Sequence, residues 1–282
     1  MARRFLIVNA DDFGRSSDAN KAILKSISEG IVKSVTVMVN TSHAYEICNI
    51  KKLLPNPSIG LHVNLTEGKP ISHPDVVPSL VNYNGEFLGF KGFIRNLVSG
   101  RIKRADLRIE IETQMDRLFD IIGTVDHIDS HKHIHIYPSV LKSMLSAGKK
   151  RGISRIRTNC RYFIASKGVQ YPQLLMEFKH YRKNPLSIFG RIIKSFQYKL
   201  IKSYNFRSPN YLLTPLPIIK STSIDNYFID SFQYVFKYLP YGISELNFHP
   251  GNVKEEMELL TSNEIRDTLN RNQIQLTSYL NI

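Results

Sequence analysis

The sequence predicts an α/β protein built as a (β/α) barrel, and three observations carry that reading. Short apolar runs alternate with amphipathic helical patterns along most of the chain, which implies parallel strands joined by helical crossovers. Four polar clusters each sit where an apolar run ends: Asn9-Ala10-Asp11-Asp12-Phe13-Gly14, Gly60-Leu61-His62-Val63-Asn64, Asp129-Ser130-His131-Lys132-His133-Ile134-His135 and Asn247-Phe248-His249-Pro250-Gly251. Barrel enzymes build their sites at that face from several strands, whereas open sheets gather ligands at one crevice, so four contributing strand ends favour the barrel. Finally, 282 residues, 42% of them hydrophobic, suffice for one barrel, and no Pro/Gly/Ser-rich linker divides them. A single domain over residues 1–282 is expected.

The elements follow in order. Residues 5–8 form a first apolar strand. Asp18 can cap a helix running to about Glu29, with Ala22, Ile23 and Ile27 on one face and Gly30 ending it. Residues 35–39 are β-rich, 44–54 are helical until Pro55 and Pro57, and 59–65 are a third strand. Residues 66–104, rich in Gly and Pro, read as a long irregular loop over the active face. The clearest helix is 105–122, where Leu107, Ile111, Met115, Leu118, Phe119 and Ile122 recur at helical spacing. A strand at 125–128 leads to a helix at 138–150 with proline in its first turn. Strands at 153–157, 211–214 and 243–248, helices at 225–239 and 263–270, and a terminal strand or coil at 274–280 complete the pattern.

The formal net charge is +14 and the pI about 9.7. That balance favours acidic partners such as nucleic acid, anionic headgroups or acidic glycans. No zinc-finger spacing or aromatic–basic RNA-binding motif occurs, so no specific nucleic-acid partner is expected. Cys48 and Cys160 make no disulfide framework and read as reduced core thiols. The apolar run after Arg3-Arg4 is too short for a signal segment, and no stretch approaches a transmembrane span. A cytoplasmic protein, soluble or peripheral to a membrane, is expected.

The polar clusters read as parts of one metal site. Asp11 and Asp12 are neighbours, and side chains of an extended segment point to opposite faces, but a turn at the strand end can bring both to one pocket. Two close carboxylates repel, and a cation relieves this. One Asp would hold a metal while the other stays free to take a proton. His62 ends an apolar strand, beside Asn64 and Thr66, and neutral imidazole is a common metal ligand. His131, His133 and His135 face one way if extended; if the chain turns helical, His131 and His135 share a face. Asp129 could orient an imidazole from behind. His249, before Pro250-Gly251, suits proton donation to a leaving group. Arg157 could pair with Asp11 or hold a substrate carboxyl or phosphate.

On the motifs running from Leu6 to Gly14, Gly60-Leu61-His62, Asp129 to His135 and His249-Pro250, the chain resembles the YdjC-like carbohydrate deacetylases, which include chitooligosaccharide deacetylases. The resemblance implies a TIM-barrel-like fold with fewer than eight regular units. It also implies a divalent metal and hydrolysis of the acetyl amide of an N-acetylated sugar. Carried over by motif, Asp12, His62 and His131 become metal ligands, Asp11 the general base and His249 the acid, with His133 and His135 as neighbours. Aspartate with two histidines suits zinc, and magnesium, manganese or cobalt share such sets.

Residues 170–210 read as a basic insertion. Phe189, Ile192, Ile193, Phe196 and Leu200 fall at helical spacing, with Arg191, Lys194, Lys199 and Lys202 largely off that stripe. Such a helix docks on the barrel or in a homo-oligomer interface. Alternatively, residues 186–204 lie on an anionic membrane surface, consistent with a lipid-linked glycan substrate. Two rival functions use the same residues: a non-catalytic sugar- or lipid-binding barrel, and an iron oxygenase with two histidines and one carboxylate.

Overall fold

The computed structural model describes residues 3–158, 186–213, 232–233 and 235–282, with the side chains of 186–194 excepted. Among the described residues, seven strands form one parallel sheet: β1 (Arg4–Phe13), β2 (Ser34–Val37), β3 (Ser58–Val63), β4 (His127–Ser130), β5 (Tyr211–Leu213), β6 (Gly242–Phe248) and β7 (Ile274–Thr277). The order is β4-β3-β2-β1-β6-β5. Strand β6 occupies one edge of β1 from Arg4 to Ala10. The other edge is shared: β7 pairs with Arg4–Ile7 and β2 with Asn9–Phe13. Every strand runs parallel to its neighbours, as the alternating pattern predicts.

Among the described residues the sheet is part of a barrel, and its ladders do not close into a ring. The expected strand at 153–157 makes only isolated bridges, Ile128 with Ile156 and Arg155 with Arg207. Its backbone bonds Ile128 on one side and Arg207 on the other, and neither neighbour continues alongside it far enough for a ladder. Side chains, described below, span this stretch instead.

Helices α1 (Ser17–Ser28), α2 (Ile50–Leu53), α3 (Gly89–Val98), α4 (Arg104–Ile122), α5 (Pro138–Lys150), α6 (Leu186–Ser203), α7 (Lys254–Thr261) and α8 (Asn263–Arg271) accompany the sheet. Helix α1 is capped by Ser16, whose hydroxyl accepts from the Ala19 amide at 3.1 Å, and not by Asp18, which lies in the first turn. Residues Ser42–Asn49 adopt a 3₁₀ conformation before the single turn of α2, where a longer α-helix is expected. Helix α4 buries Leu107, Ile111, Met115, Leu118 and Ile122 as its periodicity predicts. It stops at Gly123, whose φ of 77° suits a left-handed cap. The supposedly irregular 66–104 segment contains α3, two 3₁₀ turns and a bridge between Val81 and Phe87. Cys48 lies exposed and not in the core, while Cys160 and most of the expected 225–239 helix fall outside the described residues.

Of the basic insertion, the C-terminal half of α6 is described. Ile201 is buried, Leu200 packs against the core, and the buried Gln197 donates to the Ile136 carbonyl. This half docks on the domain; Phe196 is half exposed. Among the described residues, no helix is long and apolar enough to cross a membrane.

Close packing beneath the site rests on Gly60. A Cβ there would lie 2.5 Å from the His127 ring, which is itself stacked on Tyr279 at 3.9 Å. Gly60→Ala should therefore destabilise the fold by about 2 kcal/mol. Denaturant unfolding with an unchanged slope and a lowered midpoint is the expected result; an unchanged midpoint would show that the stack yields freely.

Candidate active site at the strand ends

A bulge at the end of β1 solves the problem posed by two adjacent aspartates. Ala10 pairs with Val35 and Phe13 with Val37, so three residue steps on β1 oppose two on β2. The extra residue re-aims the strand, a known use of bulges beside active sites. Asp12 takes φ 65°, a left-handed conformation that Asp tolerates better than most residues. Both carboxylates, each nearly fully buried, thereby reach one cavity of about 240 Å³. That cavity is also lined by His62, His131, His133 and His249.

Asp12 meets two imidazoles. Its Oδ1 lies 3.2 Å from His62 Nε2 and 2.9 Å from His131 Nδ1. One donor atom from each of the three falls within 4.8 Å of the others, all buried. Burial opposes ionisation of Asp12, but hydrogen bonds from His131 and His62 outweigh it and hold the carboxyl well below its usual range. The other oxygen, Oδ2, accepts from Arg15 at 3.1 Å and Asn252 at 3.2 Å.

His62 is set from behind. Its Nδ1 faces Asp129 Oδ1 at 2.6 Å, and Thr36 donates to Asp129 Oδ2 at 3.1 Å. A proton on Nδ1 leaves the Nε2 lone pair aimed at the cavity, the tautomer a metal ligand needs. Burial disfavours the imidazolium, yet the charge of Asp129 and bonds to Asp12 and Asp129 raise the His62 pKa to about 10. A cation bound here would take the place of that proton.

Asp11 belongs to a different set. Arg157 grips it with two bonds, Nη1 to Oδ2 at 2.8 Å and Nη2 to Oδ1 at 2.6 Å. Asn9 donates to Oδ1 at 2.8 Å and Asn247 to Oδ2 at 3.2 Å. Although burial opposes it, the Arg157 charge holds the Asp11 carboxyl well below its usual range. Arg157 is itself fully buried and also reaches Asp129 Oδ2 at 2.6 Å and Glu245 Oε1 at 2.8 Å. Three acids share one guanidinium. For Glu245 burial prevails over that attraction and pushes its pKa up, and Tyr279 donates to it at 2.5 Å.

The His131–His135 segment is neither extended nor α-helical. It forms 3₁₀ turns broken by left-handed Lys132 and His133, both at φ 53°. His131 thus joins Asp12, while buried His135 turns away to Ser130, its Nδ1 2.5 Å from the hydroxyl. Burial and then the charge of His133 depress the His135 pKa well below normal. His249, whose side chain is 37% exposed, places Nε2 3.8 Å from Asp11 Oδ2.

A family model described as YdjC-like protein matches residues 5–271. The chain belongs to the YdjC-like family. It is 35% identical over 147 residues to the carbohydrate deacetylase of Thermoanaerobacter pseudethanolicus, covering 52% of this chain and 57% of that one. It is 42% identical over 137 residues to the carbohydrate deacetylase of Geobacillus stearothermophilus, covering 49% and 53%. With the chitooligosaccharide deacetylase of Serratia marcescens the identity is 36% over 151 residues, covering 53% and 58%. The chain spans about half the length of the curated relatives it matches. A crystal structure from Enterococcus faecalis V583, provisionally described as a cellobiose-phosphate cleavage protein, covers 99% of both chains at TM-score 0.73 and 22% identity, and so shares the fold.

Several residues of this YdjC-like site carry no motif of their own. Glu67 lies 3.3 Å from His131 Nε2 and pairs with Lys132. Asn252 and Arg15 reach Asp12 from two loops. Glu256 accepts from the His249 backbone amide at 2.5 Å and so anchors the turn that carries that imidazole. Only its spacing from His249 by one helical entry could have marked it.

Burial lifts the Glu256 pKa from 4.5 to about 7. The folded state therefore binds this proton more tightly than the unfolded state across that interval. Its contribution to stability is full below pH 4.5 and declines as pH rises toward 7. Glu256→Gln keeps the acceptor and removes the ionisation. The variant should match the parent near pH 4.5 and exceed it at pH 8 by up to about 3 kcal/mol, read from paired denaturation curves. Equal stability at both pH values would place the ionised carboxylate in a solvated setting.

Proposed function

We propose that this protein is a metal-dependent hydrolase that removes the acetyl group from an N-acetylated sugar. The observation that carries the reading is the division of two adjacent aspartates. Asp12 converges with His62 and His131, while Asp11 is held by Arg157 beside the same cavity. The curated relatives are carbohydrate and chitooligosaccharide deacetylases, which supports the substrate class.

The donor set fits a divalent cation. Two imidazoles and one carboxylate leave coordination positions open, and their buried donor atoms converge within 4.8 Å of one another. Zinc suits these ligands, with magnesium, manganese or cobalt as alternatives. When bound, the cation would polarise the acetyl carbonyl and acidify a water molecule. The chain's own residues do the rest. Asp11, ionised at neutral pH, accepts the water's proton at a carboxylate oxygen. Arg157, Asn9 and Asn247 keep that carboxylate oriented throughout. His249, exposed to the cavity, protonates the departing sugar amine as the C–N bond breaks. Asp129 and Thr36 hold His62 in the tautomer that leaves Nε2 available.

Iron oxygenases share the two-histidine, one-carboxylate set, but the parallel α/β scaffold and the deacetylase relatives favour hydrolysis. Metal-loaded protein assayed for acetate release against a panel of N-acetylated glycans, free and lipid-linked, tests the proposal. Asp11→Asn should retain the metal and lose turnover by roughly 10²–10⁴-fold, the usual worth of a positioned base. Asp12→Asn should lose metal affinity itself. Near-normal acetate release by Asp11→Asn would remove Asp11 from the role of base.

A further inference from the structure

A second ligand group lies beside the first. Asp11, His62 and Asp129 also bring one donor atom each within 4.8 Å of one another, all buried. It shares His62 with the Asp12–His62–His131 group. By side-chain type alone, the site could hold two cations, as many hydrolases do. The geometry says otherwise, because a cation already sits among these acids. Arg157 donates to both oxygens of Asp11, at 2.8 and 2.6 Å, and stands 2.6 Å from Asp129 Oδ2. The remaining Asp129 oxygen is taken by His62 Nδ1 at 2.6 Å. Glu245 fixes the far side of the guanidinium through Nε at 2.9 Å, and Tyr279 fixes Glu245 at 2.5 Å.

We propose that Arg157 is a resident cation that fills the second group, confining the site to one metal ion and keeping Asp11 out of metal coordination. This rests on the proposed metal site at Asp12, His62 and His131. Arg157 acts through Asp11 and Asp129, and so is a positioning residue. A second divalent ion would have to displace charge-assisted bonds while lying against a fixed positive charge. Removing the guanidinium reverses the balance: buried carboxylates lose their permanent counter-charge and become ligands for a divalent ion. A merely structural arginine would not change the number of metal ions bound.

The test counts Mn²⁺. Wild type, Arg157→Lys, Arg157→Met and the double variant Arg157→Met/Glu245→Gln are loaded with Mn²⁺ alone, desalted, and measured by elemental analysis and electron paramagnetic resonance. The double variant removes one uncompensated acid, so it provides the count should Arg157→Met fail to fold. Wild type and Arg157→Lys should bind one Mn²⁺ per chain with an isolated-ion spectrum. The Met variants should bind two, with the spin-coupled spectrum of neighbouring ions. A coupled pair in wild type would overturn the proposal, whatever the variants do. So would a single ion in the folded Met variants. No Mn²⁺ in any of the four proteins would sink the metal reading as well, whereas one ion in all of them would sink this inference alone.

Discussion

One buried guanidinium organises this site. Arg157 is fully enclosed, and its partners come from three separate strands: Asp11 from β1, Asp129 from β4 and Glu245 from β6. Backbone ladders do not close the sheet between β4 and β5, where isolated bridges alone occur among the described residues. Arg157 lies next to one of those bridges, at Ile156, and its side chain crosses from there to β1 and β6. Ionic hydrogen bonds thus tie β4, at one end of the ladder, to the central strands β1 and β6. Such pairs bring little net stability, because desolvating the charges offsets their attraction. What they fix is register. A slip of one residue in β1 would turn Asp11 away and strand a buried charge, at a cost of about 3–5 kcal/mol on top of the lost packing.

The same interaction explains how neighbouring residues of one type take different environments. Asp11 and Asp12 differ by a single peptide unit, and the bulge between Ala10 and Phe13 aims them at different partners. Asp11 faces a permanent cation. Asp12 faces two imidazoles, and the proton held by His62 can be exchanged for a metal ion. Environment and not residue type separates their chemistry, the usual way in which paired carboxylates acquire distinct roles.

Much of this was legible in the sequence. Strand-end polar clusters marked all four segments that meet at the cavity, because a buried parallel strand is apolar until it reaches the catalytic face. What was not legible depended on single backbone angles or on distant partners. The left-handed pair Lys132–His133 decides which imidazole of the histidine run enters the site, and neither strand nor helix periodicity describes it. The predicted strand at 125–128 begins two residues late, which brings Asp129 into β4 beside His62. Residues 153–157 have strand composition but no continuous neighbour, and pairing is a tertiary property. Helices α3 and α7 are short, and α3 follows so many Gly and Pro residues that its pattern is lost among turn signals.

The outer layer also shapes the face that carries the candidate site. Glu110 and Gln114 are buried on α4, where charged and amide side chains would normally face water. Glu110 accepts from the Ile71 and Ser72 amides at 3.0 and 2.9 Å, and Gln114 bonds both the amide and carbonyl of Asn64. These bonds satisfy backbone groups of a loop that has no strand to pair with. Asn64 in turn caps the turn bearing Glu67, and Glu67 reaches His131, Lys132 and Arg15 at the cavity mouth. A helix on the outside of the sheet therefore holds the rim of the site in place. Polar residues at core positions of α4 are the cost of that arrangement. They also account for the weak amphipathicity of an otherwise regular helix, since part of its buried face serves the loop and not the apolar core.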